Sequence, residues 1–454
     1  MSLLAAHLND AGIVVVNGDR VIYQEPGFAL LEDDRVITGT AAYASAKLQP
    51  RRIQNRYWSD LRADALPDRR YRQLSAADLV SNQLEQMWAR VASEGDSLAV
   101  AVPPYMNSEN LGLLLGIAAE LSIPVVAMCD AAVCATRRQY EHAVVVHIDL
   151  GLHSSMLTRL MQEGQVQFER TAVIEDNGLQ LLQETWLKII AEAFVRQSRF
   201  DPLHTAETEQ MLQDRMPGWL ATAMSSAKVP LEVESRGMSH HAEIETLELV
   251  AAAAPVYQGI VSNLRAFYRA EETPAIQLSD RAARLPGLAA TLKARVGGEV
   301  FLLEPGATAR GLAKRCKAQP GGGSVTLTRH LPWDQSPVPV EVDAAGSNGG
   351  RPTHLLYGHK AVSLHGRPLV LGSQVAENER CLDLQQEMPG VSRRHCVVSA
   401  QNGQFVVTDH SRYGTFLNGH RIDGSAVLQT GDLIRIGTPG FELRLISVEE
   451  HNGT

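Results

Sequence analysis

Three arginines, Arg393, Arg394 and Arg412, fall in two short polar stretches near the C-terminal end of this 454-residue chain. Guanidinium groups match phosphate oxygens with paired N–H donors, so anion binding is the chemistry these stretches could support. A solvated loop charge is the plain alternative. Elsewhere the chemistry-bearing side chains do not gather. The five cysteines, Cys129, Cys134, Cys316, Cys381 and Cys396, lack the spacing of a zinc site, and their odd number argues against a disulfide framework. His240 and His241 have no accompanying ligand set and read as a solvated loop. Gly321 to Gly323 reads as linker, because no strand leads into it and no lysine-bearing helix follows. No Ser/His/Asp or Cys/His set can be assembled for nucleophilic catalysis.

The elements that must position the arginines follow from composition and periodicity. The chain is 44% hydrophobic with a net charge of −9, so two or three domains with full cores are expected. A generic nucleic-acid or anionic-membrane binder is not. The N-terminal stretch lacks the pattern of a signal peptide, and Leu111 to Ala119 is too short to span a membrane, so a cytoplasmic protein is expected. Over residues 1–317 short β-branched runs (Ile13 to Val16, Ser97 to Val102, Val144 to Ile148) alternate with amphipathic stretches (Ala76 to Val91, Leu179 to Val195), which predicts an α/β fold. Residues 318–352 are rich in glycine and proline and read as a linker, with room for a short edge strand at Ser324 to Thr328. Residues 353–454 show apolar runs separated by turn residues about every ten positions, the pattern of an all-β sandwich. This last segment carries as many acidic as basic side chains, so the negative charge belongs to residues 1–350.

The sandwich segment resembles the forkhead-associated (FHA) family, whose apical loops bind phosphothreonine peptides. The resemblance rests on Val391-Ser392-Arg393-Arg394-His395, on Asp409 to Ser411 leading into Gly414-Thr415 and Asn418-Gly419, and on Gly431-Asp432 to Gly437. It implies phosphopeptide contacts at Ser373, Ser392, Arg393, Arg412 and Tyr413. Ser373 stands where the family has an arginine and Tyr413 where it usually has an asparagine, so altered or weakened binding is expected, with Arg393, Arg394 and Arg412 as replacement cations. Asp409 and His395 are expected to pin neighbouring loops, and Gly414 and Gly419 to serve turns.

The first segment resembles the actin-like ATPase superfamily, which includes the heat-shock chaperones and the bacterial actins. Four stretches occur in the family's order: Val21 to Gly39, Val102-Pro103-Pro104-Tyr105, His147 to Ser155, and Ile276 to Asp280 followed by Glu304 to Gly311. The implied fold is α/β and two-lobed, and the implied cofactors are ATP and magnesium. The nucleotide set would be Asp10, Gly12, Asp149, Gly151, Ser154 and Ser279, with Asp149 holding the metal through water. Phosphate loops need glycines so that backbone amides can approach the phosphate. Counting back from Glu25 puts Ala6 to Asn9 at the first loop, without acid or glycine; sliding the frame brings in Asp10 and Gly12. Leu152 and His153 replace glycines in the second loop, Ser279-Asp280 replaces the paired glycines of the adenosine motif, and Cys129-Asp130 stands where the family has Glu-Pro. The site reads as a degenerate ATPase. The expected protein is therefore a cytoplasmic adaptor recruiting a protein partner, threonine-phosphorylated, through the C-terminal module. The alternative is an active ATPase that remodels clients, targeted by that module. Trp219 is expected to be buried.

Overall fold

The computed structural model describes residues 2–140, 142–296, 298–316, 325–334, 352–357, 360–373, 379–382, 391–401, 404–417, 420–422, 424–430, 432–436 and 441–446. Gly321 to Ser324, Asn418, Gly419, Gly431 and Gly437, singled out above, lie outside them. The chain divides into two compact units, Met1–Gln335 and Ser336–Thr454.

The first unit is built on two six-stranded sheets that repeat one plan. In one, the strand Leu3–His7 pairs antiparallel with Ile13–Asn17, which pairs antiparallel with Arg20–Glu25. On its other side Leu3–His7 takes up Ser97–Val102 in parallel, and Val125–Asp130 follows in parallel. In the other sheet Val144–Leu150, Ser154–Met161 and Val166–Glu175 form the same antiparallel trio, and Pro274–Leu278 and Glu299–Leu302 extend it in parallel. The parallel steps require crossovers, and helices supply them. Ser108–Glu120 connects within the first sheet and Leu288–Val296 within the second.

Local sequence explains these helices. Ser75 and Asp78 form a reciprocal capping box at the start of Ala76–Val91, and Asn107 and Asn110 do the same for Ser108–Glu120. Asp130, at the strand end, accepts the amides of Ala132 and Val133 at 2.9 and 3.1 Å and starts the buried helix Ala131–Ala135. Each sheet packs its own apolar layer, around Trp58 and Met87 in the first and around Trp186, Phe194 and Tyr257 in the second. Trp219 is buried in the second layer. A third layer of small residues, including Ala5, Ala99, Ala101, Cys129 and Cys134, joins Val145 and Ala275 of the other sheet to Ala309 and Leu312 of the helix Ala307–Arg315. Alanine and cysteine at these positions allow the close approach.

Two expectations need correction. The linker reading over 318–352 left room for an edge strand at Ser324 to Thr328, and Leu327–Thr328 forms one; it fails for residues 329–334, which also belong to the first unit. Leu327–Thr328 adds to the edge strand Val125–Asp130, and His330–Leu331 adds to Val166–Glu175 of the other sheet. Leu331 is buried, and Asp334 pairs with the buried Arg137 at 2.6 Å. This strap therefore stitches both sheets. His240 and His241 also leave their predicted loop: they lie on the strand Met238–Glu245, paired with Lys228–Ser235, and the His240 ring stacks on Phe200 at 3.8 Å. Alternating burial of Ala242 and Ile244 against exposed neighbours fixes that strand.

The second unit is a sandwich. One sheet contains Lys360–Ser363, His354–Tyr357, Phe441–Ile446, Leu433–Ile436, Thr415–Leu417 and His420–Arg421; the other contains Arg380–Leu382, Leu369–Leu371, Cys396–Gln401, Gln404–Asp409 and Ser425–Leu428. Leu355, Leu371, Phe405, Val407, Ile434 and Leu443 fill the space between them. Among the described residues no helix is long and apolar enough to cross a membrane.

Candidate functional site

Two loops at one end of the sandwich are held together by short polar side chains. His395 is fully buried at the start of Cys396–Gln401. Its Nδ1 accepts the Ser392 amide at 3.1 Å, and its Nε2–H points to the Gly414 carbonyl at 3.2 Å. Accepting at one nitrogen fixes the neutral tautomer with the proton on the other. Burial lowers its pKa from the ordinary 6.5, with the Gly414 bond and Asp409 working the other way. Asp409 Oδ1 accepts the Ser411 amide at 2.9 Å and the Thr415 hydroxyl at 2.8 Å, while Ser411 Oγ accepts the Gly414 amide at 2.6 Å. Gly414 has a φ of 94°, and a Cβ there would lie 2.5 Å from Arg421 Nε, so the turn requires glycine.

On this frame the expected contact residues converge. Ser392 Oγ accepts the Arg412 amide at 3.1 Å, and the Ser373 amide donates to the Ser392 carbonyl at 3.1 Å. Ser392 thus uses its hydroxyl oxygen as an acceptor, leaving its own proton to donate outward. Ser373 is exposed but short and uncharged, with its hydroxyl 3.4 Å from the Val391 carbonyl. Arg393 and Arg412 are exposed and form no ion pair with a described residue, whereas Arg394 reaches Glu379 at 3.3 Å. The Arg412 guanidinium lies 5.9 Å from the ring of Tyr413, which is 60% exposed. The loop pair can therefore offer two unspent guanidinium groups and one hydroxyl to an anion, with an aromatic face beside them.

The second candidate lies between the two sheets of the first unit, where two turns face each other. The turn from Leu3–His7 to Ile13–Asn17 carries Asp10 and Gly12; the turn from Val144–Leu150 to Ser154–Met161 carries Gly151. They touch directly. The Leu152 amide donates to Asp10 Oδ1 at 2.9 Å, and a Cβ on Gly151 would lie 2.3 Å from that same oxygen. Ser154 is buried behind the second turn, where its carbonyl accepts the Gly151 amide at 2.8 Å. Ser279 caps the short helix Asp280–Ala283, and its amide donates to the Ile148 carbonyl.

The side chain that fills this junction is one that sequence reasoning did not single out. Arg281, on the same short helix, places its guanidinium 3.4 Å from both Asp149 oxygens and 3.0 Å from the Gly12 carbonyl. Asn9 donates to Asp149 Oδ2 at 3.0 Å, and His7 Nε2 lies 3.7 Å from it. Burial alone would raise Asp149, but Arg281 and then the nearby histidines bring its pKa down to about 2. His7 is pushed down to about 3 by burial and by Arg281, so it is neutral. Asp149 is thus a buried carboxylate already answered by a cation and an amide. Among the described residues no group of three or more His, Cys, Asp or Glu could hold a metal ion. The residues do not fit a magnesium–nucleotide cradle: the carboxylate is spoken for, and the turn amides meet a carboxylate rather than a phosphate.

Asp10 is the weak point of this junction. Burial pushes its pKa up to about 6, against the pull of the Leu152 and His153 amides, and its Oδ2 is buried without a hydrogen-bond partner. A folded pKa above the ordinary 3.8 means that the native state binds the proton more tightly than the unfolded chain. Stability therefore falls as pH rises from about 4 to about 6 and stays reduced above that. Asp10→Asn keeps the Oδ1 acceptor and removes the charge. It is expected to stabilise the first unit by about 1–3 kcal/mol above pH 6 and to change little near pH 4, as read by urea denaturation at the two pH values.

The sequence model of the FHA domain family matches residues 369–437. The C-terminal unit therefore carries an FHA domain, a protein-interaction module. A search of curated proteins finds none that matches the chain.

Proposed function

We propose that this protein is a non-catalytic adaptor. Its FHA domain binds a threonine-phosphorylated protein, and its first unit serves as a platform with the actin-like ATPase fold that no longer takes nucleotide. Two sheets with one repeated strand order support the fold reading, and fold does not carry chemistry with it. The observation that carries the functional reading is the Arg281 guanidinium seated between Asp149 and Gly12, at the place where the two turns of an actin-like site would embrace phosphate and metal. In the FHA domain the phosphate is met by the Ser392 hydroxyl and by Arg393 and Arg412, which take over the charge that Ser373 does not bring.

Two titrations of the full chain test this. Mg-ATP calorimetry is expected to give no binding heat; tight binding abolished by Asp149→Ala would favour the working ATPase instead. A phosphothreonine peptide library is expected to yield phosphate-dependent ligands. Arg412→Ala or Ser392→Ala should weaken them by roughly tenfold to a hundredfold, the effect of losing one charge-assisted hydrogen bond. Binding indifferent to phosphate at every peptide would sink the phosphothreonine reading.

A further inference from the structure

A groove on the first unit, remote in sequence from the FHA loops, combines apolar and basic walls. One half is a cavity of ≈ 370 Å³ whose lining includes Lys188, Glu192, Val195, Arg196, Asp201 and Leu203. Val195 and Leu203 are 46% and 40% exposed there. The other half is a cavity of ≈ 340 Å³ whose lining includes Arg199, Arg236, His204, His240, Phe200 and again Asp201. Asp201 lines both, so the two adjoin.

The arginines of the second half stand at positions where local physics asks for something else. Arg199 caps the helix Leu179–Ser198 in the left-handed conformation, φ 54°, a site that favours glycine or asparagine. Arg236 and Gly237 form the turn of the hairpin Lys228–Ser235 to Met238–Glu245 with φ of 51° and 74°, a turn whose first position favours asparagine. Left-handed backbone at a non-glycine residue carries a cost. Of the five described non-glycine residues with positive φ, two are these arginines, and both line one cavity. Neither forms an ion pair with a described residue. Asp201, the one acid of this half, has its Oδ1 accepting the Leu203 amide at 3.0 Å.

We propose that this groove docks an acidic segment of a partner protein carrying an apolar anchor. The anchor enters between Val195 and Leu203, and the carboxylates meet Arg199, Arg236, His204 and His240. Charge complementarity selects this occupant: residues 1–350 hold the whole net charge of −9, yet the two cavities together are lined by Lys188, Arg196, Arg199 and Arg236 against Glu192 and Asp201. Arg196 is paired to Glu248, which leaves the basic excess at Arg199 and Arg236. Double-stranded nucleic acid or an anionic membrane, each an extended line or sheet of negative charge, would meet the net negative charge of residues 1–350.

A random peptide library displayed on phage and panned against the full chain tests the proposal. The expected result is enrichment of peptides that combine Asp and Glu with a large apolar residue. Arg199→Asn with Arg236→Asn should weaken them by at least roughly tenfold, because the charge is removed while asparagine suits the left-handed backbone. Val195→Asp should remove the advantage of the apolar residue, and phosphopeptide binding by the FHA domain should not change in either variant. Enrichment of neutral or basic peptides, no enrichment, or acidic peptides whose binding ignores the double substitution would overturn the proposal. So would a preference for duplex DNA or anionic vesicles over the peptides.

Discussion

Replacing Arg281 by alanine is expected to destabilise the first unit by about 3–5 kcal/mol, because it leaves the Asp149 carboxylate buried without its cation. The side chains of Arg281 and Asp149 are only 9% and 6% exposed, so water cannot take over the role. All five tryptophans lie at or before Trp333, which makes tryptophan fluorescence during urea unfolding of the full chain a reporter of this unit alone. The double variant Arg281→Met with Asp149→Asn should recover most of the loss, since removing both charges abolishes the imbalance. The pH dependence distinguishes this cause from lost packing. With a folded pKa of about 2, below the ordinary 3.8, Asp149 contributes stability that is present above about pH 4 and is lost as pH falls toward 2. In Arg281→Ala that acid-side loss should flatten or reverse, because an unpaired buried carboxylate binds its proton more readily when folded. An unchanged unfolding midpoint in Arg281→Ala would show that the pair contributes nothing.

His395→Ala is expected to cost the second unit about 2–4 kcal/mol and to abolish phosphopeptide binding without removing any group that touches the phosphate. The imidazole bonds both the Ser392 amide and the Gly414 carbonyl, beside the direct bond between the two loops from the Arg412 amide to Ser392 Oγ. Without it, the Ser392 amide and the Gly414 carbonyl lose their partner, and the Ser392 and Arg412 loops lose their spacing. Calorimetry of the full chain reads the stability change in the transition that lacks a tryptophan signal. The sign with pH follows from the lowered pKa. The neutral ring stabilises the fold above about 6.5, and that stability is lost as pH falls below it, where the unfolded chain binds the proton first. The variant should lose this slope. Intact binding in His395→Ala would mean that the loops hold their places unaided.

The loops around Ser392 and Gly414 were legible in the sequence because their devices are local. A histidine three residues after Ser392, an aspartate before Ser411 and a glycine before Thr415 carry their meaning in their spacing. The junction in the first unit was legible only in part. Asp149 and Gly151 declare themselves as a strand end and a turn, but the frame of the first turn was ambiguous until the pairing of Ile13 with Glu25 placed Asp10 and Gly12 opposite them. Arg281 was hidden because its role exists only where chain segments 132 and 269 residues apart meet. The same distance problem hid the strap. Its glycine- and proline-rich neighbours dominated the composition, while Leu331, Trp333 and Asp334 are too few to make a period, and Arg137, the partner of Asp334, lies 197 residues away.

The strap has a mechanical consequence. The chain reaches its second unit only by way of residues 325–334, so a pull exerted by a captured partner enters the first unit through them. The load falls first on the Arg137–Asp334 pair, then on the ladder of His330 and Leu331 with Val166–Glu175, and then on that of Leu327 and Thr328 with Val125–Asp130. Tension is thereby passed to both sheets and, through the Arg315 bond to the Pro332 carbonyl at 3.5 Å, to the helix Ala307–Arg315. Pulling on the second unit in a single-molecule force measurement is expected to release this strap before either sheet unfolds, because its two ladders are only two residues long.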